Sequence, residues 1–433
     1  SPPTPPPWPR PAEPLVSAFA MNRLVCTNLD AIDPASLPAP RREPGAPARA
    51  LFLHALKLGF GTTTRNITAA AATRDDLDAV HCNLRITGLP DLIGNRIPDR
   101  LGRWTFSGLR QMHAWRMVLR PLIGRGERSV FPLDRFDVVH IMTVQRALLL
   151  TALAGRTGPR FVVNIDATTV AFDRAFEIRT SAPRPEIAVE RRIFHAADAV
   201  ACASRWVLES VRDDYGVPED RLFLHMPCVP AIATAPRTPD PGRPVRLVFV
   251  GNDWPRKGGP RLLRWHQQRW ADRAELHVCS ARAPVDRSAR NVVWHGATPH
   301  DKLVREVLPA MDLFVMPTWE DTFLIAAQEA QAAALPVVTS RLAGIPEVVA
   351  DGVSGILCDR ADDDAFIRAI ERLIDDPIER ERLSRGALAR AARDLDAAMW
   401  HNHLLDQLVA LADGRPLRTV PAALDATPGA APA

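Results

Sequence analysis

Two carboxylates, Asp321 and Glu329, lie eight residues apart in WEDTFLIAAQEAQAAA (319–334), a stretch otherwise built mainly from small and apolar residues. Ionised carboxylates accept hydrogen bonds from hydroxyl groups. Glu329 falls in the second turn of a predicted helix, where it suits the vicinal hydroxyls of a ribose. Asp321 precedes that helix and suits a sugar hydroxyl. A second interpretation stays open, in which Asp321 or Thr322 caps the helix and Glu329 pairs with an arginine.

The start of this helix offers a different kind of chemistry. MDLFVMPT (311–318) predicts a strand, and the alanine-rich run after Thr322 predicts a helix, because alanine is the best helix former. The first amides of a helix lack intrahelical acceptors and lie at the positive end of its dipole, so they suit a phosphate. We therefore expect three free backbone donors facing a cleft: the amides of Phe323, Leu324 and Ile325.

A cationic turn follows another predicted strand, in LVFVGNDWPRKGGPRLL (247–263). Glycines let backbone approach a ligand closely, and a lysine beside them can contact a pyrophosphate. The turn has the spacing of neither a Walker loop nor a G-x-G-x-x-G dinucleotide-binding motif. A solvated Arg-Lys turn is the alternative interpretation. The candidate pyrophosphate-binding residues of this turn are Gly251, Asn252, Arg256 and Lys257.

Both stretches belong to a chain in which short apolar segments alternate with helical ones, which predicts α/β structure with parallel sheets. The strand candidates are ALFLHAL, FDVVHIMTV, RFVVNIDA and AVACAS, then VRLVFVG, AELHVCS, NVVWHG, MDLFVMPT and LPVVTS. Ser204 is the predicted N-cap of the helix after AVACAS. Two doubly wound domains enclose a cleft, and ligands bind beyond the carboxyl ends of their strands.

Proline content sets the predicted domain boundaries, because proline-rich segments favour linkers and disorder. The predicted units are a disordered Pro-rich leader (1–48), an N-terminal Rossmann-like domain (49–230), a linker (231–244), a C-terminal Rossmann-like domain with its terminal helix (245–412) and a tail (413–433).

The composition argues against several function classes. The 433 residues carry a formal net charge of +4 with dispersed basic residues, so bulk charge does not indicate nucleic acid. The six cysteines have neither C-x-x-C nor zinc spacing, which argues against a disulfide framework and a metal site. The sequence has no apolar run of roughly eighteen residues and no signal-peptide pattern. We expect a cytoplasmic protein that uses no metal and no bound cofactor.

Together the acidic stretch and the cationic turn resemble the GT-B glycosyltransferases of the large retaining family 4, which transfer a sugar from a nucleotide diphosphate donor. The family motif has two glutamates separated by seven residues, then a Leu-Pro-Val-Val strand and a Gly-Ile-Pro-Glu-Val turn. Here Asp321 stands at the first acid and Glu329 at the second, and ALPVVTS and AGIPEVVADGVSGIL follow. The Lys257 turn resembles the family's phosphate loop. The resemblance covers roughly residues 135–400.

The resemblance implies a GT-B fold, with two Rossmann-like doubly wound domains facing across a cleft. It also implies a UDP- or GDP-linked sugar as co-substrate and metal-independent transfer, with retention, to a glycan, lipid-linked or small-molecule acceptor. Lys257 and the helix start at Phe323 would stabilise the charge on the leaving diphosphate. Asp321 is shorter than the usual glutamate, Leu324 replaces a common glycine and Asn252 replaces a common arginine. Leu324 predicts a narrower sugar pocket, and Asn252 predicts weaker binding of the phosphate.

The N-terminal half is expected to bind the acceptor. His140 in FDVVHIMT and Asp166 in VVNIDATT are placed at strand ends facing the cleft, and by resemblance these regions approach the transferred sugar. A buried structural histidine is an equal alternative for His140, whereas an acid that ends an apolar strand needs a partner. KLGFGTTT (57–64) is either the family's glycine-rich acceptor loop or an ordinary turn, and its candidate residues are Gly59, Gly61 and Thr62. The catalytic candidates are Lys257, Asp321, Glu329, Asp166 and His140.

Two other functions stay open: a nonhydrolysing nucleotide-sugar epimerase of GT-B shape, and a catalytically inactive nucleotide-sugar-binding protein. A membrane contact is a separate prediction. Residues 103–128 combine six arginines with Trp104 and Trp115, a composition that suits the anionic inner face of a membrane. A packed helix with solvated edges is the alternative, since Pro121 interrupts the segment.

Overall fold

The computed structural model describes most of the chain from residue 42 onward and one short strand before it. The described residues are 24–26, 42–43, 45–54, 60–83, 132–144, 147, 150, 158–178, 185–284, 286 and 288–425. Gly59, the arginine-rich segment 103–128 and most of the predicted leader lie outside them.

The first unit is built on a parallel seven-stranded sheet with the order β1-β3-β2-β4-β5-β6-β7. Its strands are β1 (Leu24–Cys26), β2 (Ala48–His54), β3 (Leu77–Asn83), β4 (Val138–Met142), β5 (Arg160–Ile165), β6 (Ala199–Cys202) and β7 (Leu222–Leu224). Its α-helices are α1 (Phe60–Ala71), α2 (Thr169–Ala175), α3 (Pro185–Ala196) and α4 (Arg205–Asp213), with short 3₁₀ turns at Leu133–Arg135 and Glu219–Arg221.

The second unit is built on a parallel six-stranded sheet with the order β10-β9-β8-β11-β12-β13. Its strands are β8 (Val245–Val250), β9 (Ala274–Cys279), β10 (Val292–Trp294), β11 (Leu313–Met316), β12 (Val337–Ser340) and β13 (Gly355–Cys358). The helices are α5 (Gly259–Arg269), α6 (His300–Lys302), α7 (Ile325–Ala332), α8 (Ile345–Val348), α9 (Asp363–Asp375), α10 (Pro377–Arg393), α11 (Ala397–Ala412) and α12 (Ala422–Asp425), with a π-helical turn at Leu303–Val307 and a 3₁₀ turn at Leu308–Ala310.

These two parallel sheets confirm the predicted α/β class with two doubly wound units. The strands that run through the centre of each sheet are almost continuous apolar segments, because helices cover both faces of a parallel sheet. Leu24–Cys26 lies in the predicted leader yet pairs with β3, so this part of the leader belongs to the first sheet. Ser204 caps α4 as predicted: its hydroxyl accepts from the amide of Val207 at 3.3 Å.

The helix α11 connects the end of the described chain to the first sheet. Its side chains Leu404, Leu405 and Leu408 share a buried apolar cluster with Phe52 and Val138. The sequence assigned this terminal helix to the C-terminal domain, whereas the structure packs it against strands of the N-terminal sheet. This helix therefore packs on the first unit through apolar burial.

Two further observations concern membranes and cysteines. Among the described residues, no helix combines the length and the apolar character that crossing a bilayer requires. Within the described part of the chain, Cys202, Cys228, Cys279 and Cys358 are buried free thiols.

Candidate functional site

Two adjacent strands, β8 and β11, bring the two predicted donor-binding segments together. The strands pair in parallel with Leu247 opposite Leu313, so their carboxyl ends lie at the same edge of the sheet. Arg256 ties the loops beyond these ends. Its carbonyl accepts from the amide of Trp319 at 2.9 Å, and its guanidinium donates to the carbonyl of Glu320 at 2.5 Å.

Gly258 allows the first loop to approach the second this closely. It has a left-handed backbone with φ of +79°, and a Cβ atom there would lie 1.9 Å from the carbonyl oxygen of Pro317. Both conditions exclude a side chain. The backbone beside Lys257 is therefore pressed against the loop that carries Asp321.

Lys257 is a buried cation, so the alternative interpretation of a solvated turn does not describe this side chain. It is 16% exposed, its ammonium contacts the carboxylate of Asp321, and Gly251 packs against its aliphatic stem. Burial lowers the pKa of the Lys257 ammonium, the positive charge of Arg256 adds to this effect, and the carboxylate of Asp253 opposes it. A phosphate here would meet a poorly hydrated ammonium.

The helix after Asp321 begins later than the sequence predicts. α7 starts at Ile325, because Leu324 adopts a left-handed conformation with φ of +48° and its side chain is buried. The amides of Phe323 and Leu324 are not free, since both donate to Asp321 Oδ1, at 3.4 and 3.2 Å. Two of the three expected free donors are therefore engaged. The amide of Ile325 has no acceptor among the residues described in the structure.

Glu329 is buried on α7, and its partner is a histidine and not an arginine. Its Oε1 lies 2.8 Å from His300 Nε2, and His300 Nδ1 lies 3.3 Å from Arg65 Nη2 on α1. The same Arg65 nitrogen donates to Thr62 Oγ1 at 3.2 Å. Thr62, a predicted acceptor-side residue, is thus connected to Glu329 through two side chains.

The remaining donor-side candidates have structural contacts. Asn252 Oδ1 accepts from the amide of Ala281 at 2.9 Å, so this side chain braces the loop after β9 where the family commonly has an arginine. Arg256 donates to Asp253 Oδ2 at 2.9 Å, which directs its charge along its own loop. The carbonyl of Thr322 accepts from the amide of Gly344 at 3.0 Å. Lys257 is therefore the residue of this loop whose charged side chain contacts Asp321 on the facing loop.

On the N-terminal side, Asp166 lies at the expected position directly after β5 and is partly exposed. Burial of its carboxyl group raises its pKa. Gly61 and Thr62 lie in the first turn of α1, where the sequence suggested a loop or a turn. Both residues therefore lie within a helix, Gly59 lies outside the described residues, and the acceptor-side role of this segment stays a prediction.

His140 lies at the centre of β4 and not at a strand end, and it is fully buried. Its ring packs at 5.3 Å from that of Phe52, and within the described part of the chain neither ring nitrogen has a hydrogen-bond partner. Burial, together with the nearby His81, lowers the pKa of His140 to about 3. His140 lies on the same sheet face as Val138 and Met142, because every second residue of a strand shares a face. Helices α1 and α11 cover this face, so the position differs from the expected place at the cleft.

Sequence reasoning missed a contact that crosses between the units. The carboxylate of Glu347, in the Gly-Ile-Pro-Glu turn, accepts from the amides of Arg205 and Trp206 at 2.7 and 2.9 Å. These amides begin α4, whose dipole favours an anion at this end. Burial raises the pKa of Glu347, and the two amide donors act in the opposite direction. The motif was visible in the sequence, but nothing local identified its partner.

Comparison with known proteins places the chain in a family. A model described as "Glycosyltransferase Family 4" matches residues 59–230, and one described as "Glycosyl transferases group 1" matches residues 244–376. The chain belongs to these glycosyltransferases. The two matches correspond to the two sheets, and they confirm the resemblance seen in the sequence.

The similar curated proteins are matched over part of their length. Alpha-maltose-1-phosphate synthase of Mycobacterium tuberculosis is 32% identical over 39% of this chain and 48% of its own. D-inositol 3-phosphate glycosyltransferase of Acidothermus cellulolyticus is 30% identical over 47% of this chain and 52% of its own. The chain thus spans about half the length of these two relatives.

Solved structures show the same fold at low identity. Sucrose-phosphate synthase of Thermosynechococcus elongatus superposes with a TM-score of 0.62 at 16% identity, covering 84% of this chain and 99% of that one. HepE of Anabaena, in complex with UDP-glucose, gives a TM-score of 0.59 at 14% identity, with 84% and 99% coverage. The predicted GT-B fold is confirmed.

Proposed function

We propose that the protein transfers a sugar from a nucleoside diphosphate sugar to an acceptor hydroxyl on a glycan, a lipid-linked sugar or a small molecule. The observation that carries this proposal is the contact of Lys257 with Asp321 beyond the carboxyl ends of β8 and β11. It places a buried ammonium, a carboxylate and a helix start at one edge of a parallel sheet. Such an edge suits a phosphorylated ligand with a sugar beside it.

The leaving group determines what these residues do. Cleavage of the anomeric C–O bond leaves negative charge on the nucleoside diphosphate, and Lys257 stabilises that charge where it develops. Because burial disfavours the ammonium, a diphosphate gains more from pairing with it than with a hydrated lysine. The Ile325 amide at the start of α7 adds a donor. Because these groups stabilise the charge themselves, the proposed reaction needs no metal ion. We also propose that the transferred sugar retains its anomeric configuration.

The two carboxylates Glu329 and Asp321 bind different parts of the donor. Glu329 accepts from the ribose hydroxyls, and Asp321 accepts from the transferred sugar while it fixes Lys257 and the backbone of Phe323 and Leu324. Asp166, directly after β5, is the proposed acceptor-side acid. Burial raises the pKa of its carboxyl group, so it retains a proton more readily than an exposed acid. UDP- and GDP-linked sugars are the proposed donors.

Acceptor-dependent release of nucleotide tests the proposal. The purified protein is incubated with UDP-, GDP- and ADP-sugars, with and without a panel of sugar, glycan and lipid-linked acceptors, and released nucleotide and donor sugar are both measured. Release that requires an acceptor is the expected result. Interconversion of the donor sugar would replace the proposal with an epimerase, and binding without turnover would replace it with an inactive sugar-nucleotide-binding protein.

A further inference from the structure

A chain of hydrogen bonds joins the first unit to the carboxylate of Glu329. Arg65, on α1, reaches His300 Nδ1 at 3.3 Å, and His300 Nε2 reaches Glu329 Oε1 at 2.8 Å. The same Arg65 nitrogen, Nη2, also donates to Thr62 Oγ1 at 3.2 Å. A residue of the acceptor-side unit thus contacts a residue that touches the proposed ribose-binding acid.

The chemistry of the two outer groups decides where the proton of His300 lies. A guanidinium only donates hydrogen bonds, so Nδ1 must accept from Arg65, and an ionised carboxylate only accepts, so Nε2 carries the proton that it donates to Glu329. His300 is then the neutral tautomer with a proton on Nε2. The carboxylate of Asp301, 4.0 Å from Nδ1, favours a proton on that nitrogen, and Arg65, which is nearer, opposes it.

This arrangement gives one carboxylate oxygen of Glu329 a hydrogen-bond partner and leaves the second oxygen for a ligand. Within the part of the chain that the structure describes, Oε2 of Glu329 accepts no hydrogen bond, and the side chain is 8% exposed. A donor that fixes one oxygen of a buried carboxylate also fixes the direction in which the second oxygen points. Orientation of a binding group by a neighbouring hydrogen bond in this way lowers the ordering cost of binding.

We propose that His300 is a positioning residue for the donor: it orients Glu329 toward the ribose, and Arg65 selects its donating tautomer when the two units are in contact. Donor affinity is thereby linked to contact between the units. The inference rests on the proposed function, in which Glu329 accepts from the ribose hydroxyls.

The expected effects differ between the two residues. The contact between His300 and Glu329 is charge-assisted and largely buried at its acidic end, so His300→Ala should weaken nucleotide binding about tenfold. Arg65 is exposed, so Arg65→Ala should weaken it only about two- to fivefold. His300→Gln keeps one donor and one acceptor in a single side chain, and it should stay within about threefold of wild type.

Deoxynucleotides separate positioning from structural damage. Calorimetry on the full chain first finds which of UDP, GDP and ADP binds most tightly, then compares it with its 2′-deoxy and 3′-deoxy counterparts. Wild type is expected to prefer the ribose form about tenfold, the size of one lost hydrogen bond to a charged group. His300→Ala should bring this preference to within about twofold while the deoxy forms bind as they do to wild type. Arg192→Ala, an exposed arginine on α3, is the matched control for Arg65→Ala.

The outcomes distinguish this inference from the function on which it rests. Wild-type ribose preference in His300→Ala would overturn the positioning role and leave the proposed donor site intact. Equal weakening of ribose and deoxy forms would also overturn it, because that pattern indicates a structural effect. Failure of the wild type to bind any of the three nucleoside diphosphates would overturn the proposed function itself. If His300→Ala does not fold, the same preference measured in His300→Gln and Arg65→Ala decides the question.

Discussion

Replacing Lys257 separates the two roles that the structure assigns to its buried charge. Lys257→Ala removes three methylene groups of a mostly buried side chain, the first of which lies beside Gly251, and leaves the 13%-exposed carboxylate of Asp321 with two amide donors. Buried methylenes contribute about 0.8 kcal/mol each, and leaving the other member of a mostly buried pair unpaired costs about 1–3 kcal/mol. Burial of the ammonium already carries a penalty, which offsets part of this loss. We expect Lys257→Ala to lose about 2–4 kcal/mol of unfolding free energy.

Two further variants separate the packing contribution to this loss from the charge contribution. Lys257→Met retains the stem, so it should lose only the charge contribution of about 1–3 kcal/mol. Adding Asp321→Asn removes the unpaired acid, and the double variant should recover to within about 1 kcal/mol of wild type, because replacing both partners is often nearly neutral. Turnover should not recover, since the diphosphate loses its cation in every Lys257 variant. We expect it to fall about 100- to 1000-fold.

The assay combines urea denaturation with acceptor-dependent nucleotide release on a donor found by screening. Lys302→Ala is the matched control, because Lys302 is an exposed lysine of the same unit. Turnover of Lys257→Met within about threefold of wild type would refute the placement of the phosphate site. Recovery of turnover together with stability in the double variant would also refute it, since it would show that the charge matters only for folding.

Three other predictions follow from the described contacts. Glu347→Ala should lower the unfolding free energy by about 1 kcal/mol, because it leaves the first amides of α4 without an acceptor. Glu347→Gln should stay within about 0.5 kcal/mol of wild type, because burial already disfavours the charge. Equal melting temperatures for the two variants would contradict this prediction. Leu324→Gly should relieve about 1–2 kcal/mol of left-handed strain but lose about 2–5 kcal/mol of burial, so a net gain in stability by calorimetry would contradict the packing argument. Burial lowers the pKa of His81 and of His401 to about 4, so both are neutral in the folded state and charged when unfolded below their ordinary pKa. Unfolding free energy should therefore fall as the pH drops from about 6.5 to 4, by roughly 2 kcal/mol for each histidine at pH 5, and a flat stability profile over this window would contradict it.

Strand prediction succeeded where apolar residues are contiguous. β8 and β11 are buried segments of this kind, and periodicity identifies them. β3 (Leu77–Asn83) was missed because Asp78, His81 and Asn83 interrupt its apolar pattern. β13 was missed because its four residues begin with glycine, and a short strand at a sheet edge leaves little signal.

The candidate site was predictable within the second sheet and not between the two units. The Gly-rich turn and the acids follow strands, so the rule about carboxyl ends placed Lys257 and Asp321 at one edge. The start of α7 was wrong because tertiary contacts bury Leu324 and hold its backbone in a conformation that local propensity disfavours. Contacts between the units join residues 235 positions apart, as for Arg65 and His300, so no local pattern indicates them.

Calorimetric titration of nucleoside diphosphates and their sugars into wild type and Glu329→Gln tests whether Glu329 binds the ribose of the donor. We expect one of UDP, GDP and ADP to bind wild type, and Glu329→Gln to weaken binding of both the bare nucleotide and its sugar by about 1.5–3 kcal/mol, because the ribose is common to both. Asp321→Asn should weaken the sugar nucleotide more than the bare one. Unchanged nucleotide affinity in Glu329→Gln, with a normal melting temperature, would contradict the assignment of the donor site.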